Sequence, residues 1–258
     1  MKLQTFIRAS AFLIAIIDTP AAVVNIGALK DNSLYEDAAG SLSNGAGPSF
    51  FSGITAAGGI RRGLLEFDLG IIPAGSQIQS VTLVLHLVQA QAFATSMGLH
   101  EARTEWGQGT SSAGNRGGGG TQATTGDATW LHSSYTNAFW TNSGGDFEPV
   151  SSAATVVGAE GAYYTWASTT ALVADVQGWL DAPSSNHGWF LIGDESQNGT
   201  AKAFASRENS TSAFQPKLTV SYTPIPEPSA AFIGLLGAAS TIAARRRRRT
   251  MQCERRFR

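Results

Sequence analysis

The stretch Val81-Thr-Leu-Val-Leu-His-Leu-Val88 sets Val81, Leu83, Leu85 and Leu87 on one side of an extended chain, with Thr82 and His86 opposite. A period of two with one apolar side is the pattern of a half-buried β-strand. Arg61–Leu69 alternates in the same way, with Leu65, Phe67 and Leu69 on one side and Leu64, Glu66 and Asp68 on the other. Gly188–Ile192 and Ala201–Ser206 are shorter candidates, and Lys217–Thr223 closes the series with Leu218, Val220 and Tyr222 on a single side. Turn-forming residues separate these runs, as in sandwiches and barrels. One helix is expected, Thr169–Leu180, where Leu172, Val176, Trp179 and Leu180 recur at helical spacing. Gly107–Gly126, rich in Gly, Ser and Thr, reads as a long surface loop. No fixed-period repeat occurs, so a solenoid is not expected; the expectation from the pattern is an all-β body over residues 23–223, a sandwich or a barrel.

Composition agrees with that reading. The chain has 258 residues, 43% of them apolar, with six Trp and 29 Gly and only 14% charged. That is enough apolar material for a core and too little charge for a disordered chain. The net charge of −1 conceals a sorting along the sequence. Residues 22–224 carry 8 basic and 16 acidic side chains, a net of −8, whereas residues 225–258 carry 8 Arg against Glu227 and Glu254. The single cysteine is Cys253, so the body has neither a disulfide framework nor a cysteine-based zinc site.

The ends have patterns of their own. Residues 1–22 read as a signal peptide: Lys2 and Arg8, the apolar run Ala9–Ile17, then small residues at Thr19-Pro20-Ala21-Ala22. At the other end, Pro224-Ile225-Pro226-Glu227-Pro228 interrupts regular structure. An uncharged run, Ser229–Ala244, follows, and then Arg245, Arg246, Arg247, Arg248 and Arg249. The run is shorter than the roughly 20 residues of a typical spanning helix; the arginines after it fit a cytoplasmic stop. The order of Pro226-Glu227-Pro228, short apolar helix and arginine cluster resembles the PEP-CTERM sorting signal over residues 224–249. The resemblance implies a transmembrane sorting helix and an exosortase-type processing enzyme as partner. It further implies export to the cell surface or extracellular matrix of a Gram-negative-type bacterium, with membrane insertion before processing. Residues 250–258 form a basic tail extension beyond the usual end of that signal. No nucleic-acid role is expected of an arginine run placed after an apolar segment.

A second resemblance runs along the body. Asp31-Asn-Ser-Leu-Tyr-Glu36 is followed by Arg61-Arg-Gly-Leu-Leu-Glu-Phe-Asp68, Ile72-Pro-Ala-Gly75 and Ile78-Gln-Ser-Val-Thr-Leu-Val-Leu85. Asp175-Val-Gln-Gly-Trp179, Asn186-His-Gly-Trp189, Ser206-Arg-Glu208 and Pro216-Lys-Leu-Thr-Val-Ser-Tyr222 complete the series. In that order these resemble a DNRLRE (disaggregatase-related) domain, a carbohydrate-binding-module-like family of jelly-roll β-sandwiches. The resemblance implies polysaccharide binding. Asp31, Asn32, Leu34 and Glu36 keep the eponymous motif, while Ser33 and Tyr35 stand where it has arginines, so no role of those arginines carries over.

The glycan-binding candidates are Trp130, His132, Tyr135 and Trp140, clustered in loop-like sequence, because sugar rings stack on aromatic faces. Arg61, Arg62 and Arg207 join them, because guanidinium binds a carboxylate bidentately; the alternative is that they pair within the chain. Asp31, Asp37, Asp146 and Asp194 are candidate ligands for a structural calcium ion, which favours oxygen-rich loops; no other cofactor is expected. Asp146 with Glu148, and Asp194 with Glu195, are carboxylate pairs of the kind a glycosidase needs across one cleft. No zinc-enzyme or P-loop motif occurs. The leading expectation is an exported protein that binds or organises extracellular polysaccharide without catalysis. The alternatives are a purely structural surface component with no glycan site and a polysaccharide lyase or hydrolase.

Overall fold

The computed structural model describes residues 20–90 and 93–225, within which Ala21–Pro224 forms one compact unit. The expected signal peptide, apart from its last three residues, lies outside the described residues, as do the sorting motif from Pro226 onward, the arginine run and the tail extension. Among the described residues no helix is long and apolar enough to cross a membrane.

The unit is mostly β. In chain order the strands are β1 (Ala22–Tyr35), β2 (Leu42–Ser43), β3 (Ser49–Ile54), β4 (Ile60–Phe67), β5 (Gln77–Ala90), β6 (Thr95–Glu101) and β7 (Thr121–Gln122). They continue with β8 (His132–Ser134), β9 (Ala138–Phe139), β10 (Ala153–Val157) and β11 (Tyr163–Trp166). After α1 (Thr170–Asp181) come β12 (Trp189–Ile192), β13 (Lys202–Ala205) and β14 (Lys217–Thr223). The expected helix is α1, displaced by one residue. Thr169 caps it, its hydroxyl accepting from Leu172 N at 3.0 Å, and it ends where Pro183 follows Ala182.

Two layers follow from the pairings. One runs β1-β14-β5-β11 and the other β4-β12-β6-β10, all antiparallel. β1 belongs to both: Ala22–Gly27 pair with β14 and Ala28–Tyr35 with β4, with a register shift between Ala28 and Lys30. β13 and β3 bridge the layers a second time, joining β5 to β4 and closing the hydrogen-bonded path on itself.

The main core lies between the layers. Val81, Leu83, Leu85 and Leu87 enter it from β5, as their alternation requires, and meet Leu65, Phe67, Met97 and Trp189 from the facing strands. Trp166 Nε1 donates to Met97 O at 2.8 Å, tying β11 to β6. Phe204 stacks on Phe50 at 5.6 Å, and Trp179 of α1 meets Trp189 at 4.5 Å. A second cluster, Leu34, Leu64, Trp106, Trp140 and Phe190, packs on the outward side of β4 and β12. Both sides of β4 are therefore buried. The segment Gly107–Gly126 is more ordered than a surface loop: it holds β7 and a 3-10 turn at Gly114–Gly119.

Phe204 and Trp189 are both fully buried. Truncating either to Ala is expected to cost about 3–5 kcal/mol in urea unfolding. Val150→Ala, at a side chain 78% exposed, is expected to change stability by no more than about 0.5 kcal/mol.

Candidate functional site

The hexapeptide Asp31–Glu36 covers the last five residues of β1 and the one that follows, and every residue in it holds another segment. Asp31 Oδ2 accepts from Arg207 N at 2.7 Å. Asn32 is fully buried; its Oδ1 accepts from Ser33 N, Ser43 Oγ and Asn44 N, and its Nδ2 donates to Gln108 O. Ser33 Oγ accepts from Phe51 N, and Tyr35 Oη donates to Gly117 O. Leu34 enters the second cluster, and Glu36 Oε2 accepts from Ile60 N. The polar residues from Asp31 to Tyr35 form a buried bracket for the loops around residues 43, 108 and 117.

The candidate arginines are occupied within the chain. Arg61 and Arg62 leave β4 on opposite sides, as neighbours in a strand do. Arg61 lies over the Tyr35 ring at 4.8 Å and donates to Gly118 O, and burial lowers its pKa. Arg62 makes a bidentate pair with Glu195 at 2.8 Å per bond, donates to Gly144 O, and lies over Trp130 and Phe147. Arg207 pairs with Glu208 at 3.0 Å. Pairing within the chain accounts for Arg62 and Arg207, although Arg62 meets Glu195 rather than its strand neighbours.

The four calcium candidates are not gathered. Asp37 caps Ala39 and Ser41, Asp194 caps Ser196, and Asp146 accepts from Thr141 N and from Asn142 N and Nδ2. Asp31 is buried beside Arg207. Among the described residues no three His, Cys, Asp or Glu side chains come together as a metal site. The acidic pairs have other partners too: Glu148 meets Arg103, and Glu195 meets Arg62.

The aromatic candidates separate. Trp140 is only 5% exposed: its Nε1 donates to Thr129 O at 2.8 Å and its ring meets Phe190, so it presents no face to solvent. Trp130 is half-buried under Arg62. His132 and Tyr135 do come together, on the β8–β9 hairpin, with Phe139, which lies in the same aromatic-rich segment. Phe139 is 68% exposed and its ring centroid lies 4.2 Å from that of His132; Tyr135 approaches the imidazole edge-on at 5.1 Å. Thr129 holds the imidazole: its buried hydroxyl accepts from His132 N at 3.0 Å and lies 3.0 Å from Nδ1. His132 is itself buried and backs the Phe139 ring from within. The hairpin so presents an open ring face at Phe139 and the half-buried Tyr135, whose hydroxyl accepts from Gln122 Nε2 at 3.4 Å.

No protein-family model matches this chain, and no curated protein matches it.

Asn32→Ala removes four bonds and is expected to cost about 3 kcal/mol in chemical denaturation, since buried groups are left unpaired. Burial, and secondarily the Glu208 carboxylate, raise the Asp31 pKa well above its usual value against the opposing Arg207 N–H. The folded state therefore binds this proton more tightly than the unfolded one, where the pKa is about 3.9. Its contribution to stability is complete below that value and is lost as pH rises through the folded pKa. Urea midpoints measured from pH 4 to 7 are expected to fall more steeply with rising pH in the wild type than in Asp31→Asn. Equal slopes would refute this assignment.

Proposed function

We propose that this chain is an exported bacterial surface protein whose β body binds or organises extracellular polysaccharide without catalysis. The observation that carries the reading is the β8–β9 hairpin, where the exposed Phe139 ring and Tyr135 both pack on the buried His132 imidazole, which leaves an aromatic face and a tyrosine hydroxyl on one hairpin. An aromatic face for the C–H side of a pyranose, with polar groups at its edge, suits a sugar ring. Arg62 and Arg207 are held by Glu195 and Glu208, so the hairpin suits a neutral sugar better than a uronate.

The strand order β1-β14-β5-β11 against β4-β12-β6-β10 supports the finer reading as a jelly-roll sandwich of the DNRLRE type. Sorting rests on the sequence pattern of residues 224–249: insertion through the apolar segment, recognition by an exosortase-type enzyme, and release to the cell surface or matrix. The alternative of a purely structural component draws support from the number of polar side chains in the Asp31–Glu36 bracket that are engaged internally.

Affinity electrophoresis of the full chain through gels containing a neutral glucan distinguishes the two. Retardation is expected, weakened about three- to tenfold in Phe139→Ala, the range of an aromatic contact, with no accumulation of reducing ends. Unretarded migration of the wild type would favour the structural component.

A further inference from the structure

Leu29 has no partner in either ladder that β1 joins. Its neighbours Ala28 and Lys30 pair with Phe67 and Glu66, which are adjacent in β4, so Leu29 is the extra residue of a β-bulge. A bulge re-aims the side chain it carries, and Leu29 is 48% exposed. It lines a pocket of about 430 Å³ together with Leu69, Ile72 and Pro73 from the loop after β4 and Trp179 and Leu180 from the end of α1.

Three residues with polar side chains, Glu66, Asp68 and Asn186, line the same pocket. The Asn186 amide is engaged at both ends, Nδ2 donating to Phe67 O at 2.8 Å and Oδ1 accepting from Gly188 N at 3.2 Å. The carboxylates are only partly engaged. Glu66 and Asp68 lie two residues apart in extended chain and so share a side. The Glu66 side chain is only 9% exposed; its Oε2 lies 2.9 Å from the Lys30 ammonium, and its Oε1 makes no hydrogen bond among the described residues. Asp68 Oδ1 accepts from Gly70 N at 2.8 Å, which leaves Oδ2 open. No basic residue lines the pocket. Behind it Lys30 is shared with Glu105, which also meets His187. Three carboxylates therefore stand against one ammonium, and the local field is negative.

Apolar walls with a few convergent polar groups, in a volume of roughly 300–1,000 Å³, characterise small-ligand sites. A carboxylate oxygen held among apolar side chains costs free energy until a donor reaches it, and a charged N–H makes the stronger bond to it. We infer that this pocket binds a small organic cation, a protonated amine on an apolar body, with the ammonium at Glu66 and Asp68 and the body against Leu29, Leu69 and Ile72. A sugar ring is the poorer occupant, because its hydroxyls would meet apolar walls where they need partners. The pocket shares no residue with the β8–β9 hairpin, and the inference does not rest on the glycan-binding reading.

The test is calorimetric titration of the full chain with 2-phenylethylamine near neutral pH, where the amine is protonated, beside 2-phenylethanol and 3-phenylpropionate as its neutral and anionic counterparts. The amine is expected to bind, the alcohol to bind about tenfold more weakly, the worth of one hydrogen bond to a charged group, and the propionate not to bind. Glu66→Gln, which removes the charge at nearly constant shape, is expected to weaken the amine about tenfold and to leave the alcohol within about twofold. Asp68→Asn, at an exposed position and with the acceptor for Gly70 kept, is expected to weaken the amine about threefold. Leu29→Ser, at the unpaired bulge position, is expected to weaken amine and alcohol alike, about fivefold, through lost apolar contact. Urea midpoints check that each variant is folded; if Glu66→Gln is not, the other two variants decide. Equal affinity for amine and alcohol overturns the inference, as does a wild type that binds no amine. Unaltered amine affinity in both Asp68→Asn and Leu29→Ser overturns it too. Phe139→Ala is expected to leave amine binding unchanged, and its loss there would place the amine at the hairpin and overturn the pocket.

Discussion

Six residues of β1 pair with β14 and its remainder pairs with β4, so a single strand is built into both layers. The transfer occurs at the register shift between Ala28 and Lys30, and Lys30 fastens it. Its ammonium lies 2.9 Å from Glu66 Oε2 and 2.6 Å from Glu105 Oε1, donates to Trp106 O, and sits over the Trp106 ring at 4.5 Å. The lysine is only 15% exposed, and burial raises the pKa of its partner Glu66 despite the pairing. A half-buried pair of this kind contributes less through net energy than through the single geometry it permits. Here that geometry is the angle at which one strand leaves one sheet and joins the other.

Downstream of Lys30, burial changes what the polar residues do. In the first half of β1 the pattern alternates; from Asp31 to Tyr35 it is continuously buried. Polar side chains in such a run need partners, because an unpaired buried group costs more than a typical hydrogen bond returns. They find them at Ser43–Asn44, Gln108 and Gly117. The motif that suggests recognition in the sequence thus has a positioning role in the fold, and the excursion that carries the hairpin is ordered partly through it.

How much of this was legible depended on how many sides of each strand face water. β14 is legible to the residue and α1 to within one, because each has one apolar side and one wet one; for β5 the alternation marks Val81–Val88, the middle of a strand that runs from Gln77 to Ala90. β4 alternates in sequence, but Leu64 on its supposedly outer side is buried in the second cluster, whose members come from residues 34 to 190. β1 carries no such signature, because its buried half contains Asp31, Asn32 and Ser33, which break any apolar alternation. At the candidate site, His132 and Tyr135 were singled out and do meet, whereas Trp140 is turned inward by a bond to Thr129 that no local pattern announces. The surface groove beside Tyr163, lined also by Asn25, Val84 and Lys217, has no counterpart in the sequence pattern. Asn25, Val84, Tyr163 and Lys217 are scattered along the chain and become neighbours only through sheet register.

The pairing of Ala22 with Tyr222 brings the two ends of the body to one corner. Its consequence is mechanical. Tension applied between the two flanks would open the β1–β14 ladder one pair at a time, the weakest way to load antiparallel strands. Tension between the C-terminal flank and a point held on the sheet face would load β14 along its length instead. There the ladders to β1 and β5 resist together on its two sides.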